Sequence, residues 1–314
     1  MSMPMLLITG TFRAKGLKPD GDTVTFTPDQ VDDWKLVPGA RPVVPKWDGS
    51  ASIRLEGIDA LETHYGQKDL LSGVQHQPLD LAHAAADTLL GLIGFTDFHR
   101  PVVEAGHAHQ PDDEKIISTI PEVTHGYVLT RGADVFGRCV ALVGRDFQPA
   151  PNGYQVEVDE QMLKNTANYK LMEAGLVYPT FYSEFPELLR ASLAAAAAAA
   201  AAHEPKKGVW ARDATTALPG VQVTDISSLT DEATGAVILP KLFRRLKDYL
   251  ELDRDPSQPA LSCFRAYLAG ASDDQYYLQG KPEVYRGMHH VVEVTGGNTV
   301  RMTHGPEEIV FVEK

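Results

Sequence analysis

Alternating apolar and polar positions dominate the first part of the chain, and helical spacing dominates its middle. Residues 5–12 and 23–27 are rich in β-branched and aromatic side chains on either side of a Lys-Pro-Asp-Gly turn, which predicts two antiparallel strands. Between residues 28 and 50 lies a loop rich in Pro and Gly, whose Trp34 and Trp47 are expected to pack it down as a flap. Residues 52–58 alternate again, so Arg54 projects from the face opposite Ile53 and Leu55. A helix is predicted over residues 77–90, and a hairpin over 115–131 and 137–144 whose turn is Gly132–Gly137, with Arg138 opening its second strand. Helices follow over 162–176, stopped near Gly175, and over 186–202, where nine consecutive alanines carry the highest helix propensity available.

Residues 211–225 have no strong period and read as a boundary, which gives a first domain over 1–212 and a C-terminal α+β appendage over 213–314. In the appendage, residues 240–252 place Leu242, Phe243, Leu246, Tyr249 and Leu250 on one helical face, and residues 259–268 form a second candidate helix. Strands are expected at 291–294, 299–302 and 309–312 around a Gly-Gly-Asn turn. Short turn-linked strands interleaved with three helices suit an α+β fold built on a small five-stranded barrel of the OB type.

The 314 residues are ample for a core in each part. A formal charge of -13 argues against broad, sequence-independent binding of nucleic acid, but a groove needs only local positive charge. Cys139 and Cys263 are too few for a disulfide scaffold or a thiolate metal site, and Cys139 is expected to face the core. The N-terminal apolar run is too short and too soon broken for a signal sequence or a membrane span, so the cytoplasm is the expected location.

Asp22 follows an Asp-Gly turn at a strand tip, and Asp59 ends the strand that carries Arg54. Two carboxylates delivered this way make a site for a hard cation. Alone, Asp-Gly-Asp is a hairpin turn and Arg54 a surface ion-pair partner. His107 and His109 share a face but lack a third ligand nearby and read as loop residues. His289 and His290 are expected to alternate across a strand, pointing to opposite faces.

Taken in order, five motifs resemble the staphylococcal nuclease (thermonuclease) family over roughly residues 5–212. They are Pro19–Val24; Arg54-Leu55 leading to Gly57-Ile58-Asp59 and Glu62-Thr63; Asp134–Arg138; Asn168–Leu171 with Gly175-Leu176; and Lys207–Trp210. The resemblance implies a five-stranded OB barrel with three helices and a calcium-dependent hydrolysis of nucleic-acid phosphodiester bonds, in DNA or RNA. It also implies roles: Asp22 and Asp59 as calcium carboxylates, Ala60 as a carbonyl ligand, Glu62 as the group that activates water, and Arg54 and Arg138 as the guanidinium groups on the scissile phosphate.

Phosphodiester hydrolysis builds negative charge on phosphorus beside an attacking water, so it calls for cations on the phosphoryl oxygens and a base on the water. Calcium takes about 6–8 oxygens, so this ligand set implies an open site with dissociation near roughly 10⁻⁴–10⁻³ M. Leu61 stands where the family usually has Pro, and Val135 and Phe136 replace a Lys-Tyr pair. These departures and the acidic charge favour an alternative, a non-catalytic OB-type binding or scaffold module. The retention of all five polar residues opposes it. For residues 213–314 the sequence leaves open covering the groove, recruiting a partner and dimerisation.

Overall fold

The computed structural model describes residues 2–66, 73–103, 109–146, 148–252, 255, 257–271 and 274–313. The first part contains β1 (Met3–Arg13), β2 (Thr23–Pro28), β3 (Ala51–Leu55), β4 (Ile58–Ala60), α1 (Leu79–Leu92), β5 (Asp97–His99), β6 (Ser118–Ile120), β7 (Val123–Ala133) and β8 (Cys139–Gly144). It continues through β9 (Gln155–Val158), α2 (Glu160–Lys164), α3 (Ala167–Glu173), β10 (Val177–Pro179), β11 (Phe181–Tyr182) and α4 (Glu187–Ala202). The fold is mixed α+β.

Pairing runs β2-β3-β8-β7-β1, and β1 also pairs with β2, so these five strands close on themselves. The long β1 makes this possible: its first half pairs with β9, its second half with β2, and most of its length with β7. A register shift between Thr130 and Gly132 bends β7 as it passes to β8. Inside lie Ile8, Phe12, Phe26, Ile53, Leu55, Val128, Cys139 and Ala141, all essentially inaccessible to solvent, while Leu7 and Leu142 are buried on the opposite face of the sheet. Cys139 faces this core, and burial pushes its thiol up to about 12.

Asn168 on α3 ties helix to strands. Its side-chain oxygen accepts from the Val143 amide at 2.9 Å, and its nitrogen donates to the carbonyls of Glu56 at 2.9 Å and Ala141 at 3.2 Å. The predicted helix over 162–176 is two helices, because Thr166 turns out of the α-helical path and caps α3 by accepting from the Tyr169 amide. The hairpin's first strand starts at Val123, since β6 pairs with β5 in a separate ribbon. In the loop 28–50, Trp34 is buried, donates to the Gly49 carbonyl at 2.9 Å and meets Phe26 edge-on. Trp47 does not pack: it is 99% exposed.

The C-terminal part contains β12 (Val221–Gln222), α5 (Ser227–Thr230), α6 (Pro240–Leu250), α7 (Phe264–Gly270), β13 (Gln275–Leu278), β14 (Val284–Arg286), β15 (Val292–Thr295), β16 (Thr299–Met302) and β17 (Ile309–Phe311). Strands β13 and β14 escape the sequence pattern. His289 and His290 lie in a 3-10 turn rather than a strand, with ring centroids 3.9 Å apart. A second core forms around Leu242, Phe243, Leu246, Phe264 and Tyr276, and it takes in Leu61, Tyr178 and Val209 from the first part. Strand β17 pairs with β11, and Arg131 on β7 reaches Glu313 at 2.9 Å. The appendage is therefore packed and paired onto the first part. Among the described residues no helix is long and apolar enough to cross a membrane.

Candidate active site

Strand alternation puts the two predicted arginines on one face. In the parallel pairing of β3 with β8, Arg54 is opposite Val140, and Arg138 lies two residues before Val140. Side chains two apart share a face, so Arg54 and Arg138 project outward while Ile53, Leu55, Cys139 and Ala141 fill the core.

Asp22 arrives from the turn before β2. Gly21 in that turn is pressed between α1 and β4: a Cβ there would lie 2.5 Å from that of Ala85 and 2.7 Å from that of Ala60. This close approach brings the buried Asp22 carboxylate to the Ala60 amide, which donates to it at 2.9 Å. Ala60, expected to offer a carbonyl, thus meets Asp22 through its N–H. Asp59 is on the same short strand and has no solvent exposure. Arg54 joins the two, with one nitrogen on Asp22 and another 2.7 Å from Asp59. The same nitrogen donates to the Ile58 carbonyl at 3.2 Å.

Glu62 follows two residues beyond Ala60, its amide donating to Gln77 at 3.3 Å. Leu61, between them, is fully buried in the second core, so the C-terminal part anchors the turn that carries Glu62. Arg138 spends its Nε on Asp134 at 2.7 Å, and Asp134 also caps the turn by accepting from the Phe136 and Arg138 amides. Phe136 is 77% exposed, with the Arg138 guanidinium 5.5 Å from its ring centroid.

Asp22, Arg54, Glu62 and Arg138 line one cleft of about 640 Å³, with Asp20 and Tyr65 beside them. Its far wall is the C-terminal part. Lys241, Arg244 and Arg245 of α6 line it, and Arg244 crosses it. Arg244 holds Asp59 at 2.9 Å with one nitrogen and Glu62 with the other. This residue lies outside the motifs, and its one sequence signal is the cationic face of an amphipathic helix in an acidic chain.

Burial pushes the Asp59 carboxyl up, but Arg244 and Arg54 outweigh it and leave its pKa lowered. Burial dominates at Glu62, which stays raised against the pull of Arg244, with Asp59 and Asp22 adding to the rise. Asp20 is raised well above the usual range by burial and by Asp22 beside it. Glu56, also lining the cleft, is raised by burial to about 7 although Arg131 is 3.0 Å away.

The donor set at Asp22, Asp59 and Glu62 is all oxygen, and two guanidinium groups already stand against it as cations. Oxygen donors are what a hard cation such as calcium takes, but Arg54 and Arg244 already balance part of their charge. Their oxygens are turned onto the arginines, and among the described residues no three His, Cys, Asp or Glu side chains are disposed as a ready-made metal group. Elsewhere, His109 does have acidic and imidazole neighbours: His76 lies edge-on at 4.5 Å and Glu114 at 3.8 Å. His107 lies outside the described residues.

No protein-family model matches the chain, and a search of curated proteins returned no match.

Proposed function

We propose that this protein hydrolyses phosphodiester bonds of nucleic acid, as a nuclease of the staphylococcal type on an OB-type barrel formed by the ring of β1, β2, β3, β8 and β7. One observation carries the reading. Asp22, Arg54, Asp59, Glu62 and Arg138 come from three separated stretches of chain, around residues 22, 54–62 and 138, yet four of them line one cleft, and Arg54 ties the fifth, Asp59, to Asp22.

In this reading a phosphodiester enters the cleft against Arg54 and Arg138. The Nη end of Arg138, with Nε fixed by Asp134, presents a planar fork to two phosphoryl oxygens. Glu62 accepts a proton from water as the water oxygen bonds to phosphorus. The ester oxygen on the opposite side leaves with the electron pair of the broken P–O bond and takes up a proton from solvent. The raised pKa of Glu62 suits a base better than an unshifted carboxylate does. Calcium, held by Asp22 and Asp59, would add positive charge beside the phosphate. The acidic chain needs only the local cations of this wall, and both cysteines are free, which suits a cytoplasmic location.

A second reading, a binding module without catalysis, has one observation in its favour: Arg244 already engages Glu62 and Asp59. Incubation of purified protein with supercoiled plasmid and with RNA, in calcium or EGTA, separates the two. Calcium-dependent cleavage is expected, falling by about 10²–10⁴ in Glu62→Gln. No cleavage by the wild type, or equal cleavage by the variant, overturns the proposal.

A further inference from the structure

We infer that Arg244 is a tethered cation that holds the calcium carboxylates until a substrate phosphate draws it off, which makes metal entry conditional on substrate. The inference rests on the nuclease reading above and adds a residue from the C-terminal part to its site.

Helix α6 presents three cations to the cleft, but they are not equivalent. Arg245 is fastened to Asp274, its Nε donating at 2.8 Å, and Lys241 lies 3.5 Å from the same carboxylate. Both anchor the helix to the C-terminal part. Arg244, one residue earlier, is turned about 100° round the helix from Arg245, and it points to the opposite wall. There it meets both oxygens of Asp59 and one of Glu62. Those groups belong to the predicted metal ligand and the predicted base, so the contact touches both halves of the proposed chemistry at once.

Positive charge at one place is exclusive. A divalent ion on Asp59 would sit beside a guanidinium already bonded to both Asp59 oxygens, and like charges that close repel strongly where little water screens them. Calcium must also gather about 6–8 oxygens, while Arg54 and Arg244 together engage both oxygens of Asp59. Arg244 and calcium are therefore alternative occupants. The Arg244 side chain is a quarter exposed and lines the cleft on a stem of rotatable methylenes. A phosphodiester lodged against Arg54 and Arg138 offers it a new anion in the same cleft. Its departure would release the second Asp59 oxygen toward the metal and the Glu62 oxygen toward water in one movement, while Arg54 stays on the other Asp59 oxygen.

Calcium binding itself, without turnover, tests the inference. Calorimetry with calcium on the full chain is expected to show weak binding for the wild type. It should tighten by about tenfold or more in Arg244→Gln, which keeps a polar side chain but removes the charge. Arg244→Lys keeps the charge but lacks the fork that spans both carboxylates, so it should fall between the two. Thymidine 3′,5′-bisphosphate should tighten calcium binding to the wild type by much more than to Arg244→Gln. Equal calcium affinities for wild type and both variants, or no binding by any of them up to about 10 mM, overturn the inference. Cleavage with equal affinities leaves the nuclease reading standing without the tethered cation. Competition without cleavage leaves the tethered cation standing without the nuclease.

Discussion

Replacing Arg54 by alanine strips the central cation from two carboxylates that are almost wholly out of water. The side chain of Asp22 is 5% exposed and that of Asp59 is not exposed at all. Removing one partner of a buried ion pair costs roughly 3–5 kcal/mol, because the other charge remains where water cannot reach it. Some compensation survives. Asp59 keeps Arg244 at 2.9 Å, and Asp22 keeps the Ala60 amide at 2.9 Å and the Thr23 hydroxyl at 3.1 Å. The loss should therefore fall near the lower end, about 3 kcal/mol at pH 7.

The sign with pH follows from Asp59. Its folded pKa is depressed, with Arg54 among the causes, so the pairing stabilises the fold above the unfolded carboxylate pKa and is lost as pH falls through the folded value. In Arg54→Ala that pKa rises, and the stability gap to wild type should narrow as pH is lowered from 7 toward 4. Urea denaturation at several pH values measures it. Adding Asp22→Asn to Arg54→Ala should recover about 1 kcal/mol or more, a coupling that two independent sites would not have. A loss below about 1 kcal/mol at pH 7, or a gap that does not change with pH, would refute the assignment of Arg54 as the link between the two carboxylates.

Two further outcomes are expected. Glu56, raised by burial to about 7, holds its proton in the folded protein well above the pH at which the unfolded chain releases it. Its neutral form therefore favours folding fully at low pH, and that contribution is lost as pH rises through about 7. Glu56→Gln should gain on wild type between pH 5 and 8, by up to roughly 3 kcal/mol at about 1.4 kcal/mol per unit, and parallel stability curves would contradict this. Asn168→Ala leaves the Val143 amide and the Glu56 and Ala141 carbonyls without its side chain. It should lower stability by about 2–4 kcal/mol in denaturant unfolding, and a loss under about 1 kcal/mol would show that water or neighbouring strands replace it.

Much of the first part was legible from local pattern. The alternation of Ile53, Arg54 and Leu55 gives Arg54 an outward face whatever the strand pairs with, and Asp134 in its turn sets up Arg138 by hydrogen bonds within four residues. Asp22 was legible for the same reason, since turn chemistry is local, whereas Asp59, expected to end the strand of Arg54, lies on β4, which the turn at Glu56 and Gly57 splits from β3 and which pairs with β10. Boundaries were less legible. Thr166 splits one helical run because its hydroxyl competes for the next helix's amide, and Trp47, although apolar, finds nothing to pack against. Strands β13 and β14 were missed because their pairing partners, β17 and each other, are set by sheet assembly rather than by period.

What the sequence by itself determined was which side chains could carry the chemistry and which face each would take, because alternation and turn geometry act over a few residues. Only the tertiary structure decided who meets whom. Arg244 lies 182 residues beyond Glu62, on a helix whose apolar face is buried in the second core, and that burial swings its charged face across the cleft. Leu61 was a departure on paper and became an anchor once the C-terminal core covered it. Contacts of that span depend on how whole layers pack, and no local pattern encodes them. The carboxylate pair read as a place for a cation therefore carries, in the folded chain, a cation of the protein's own.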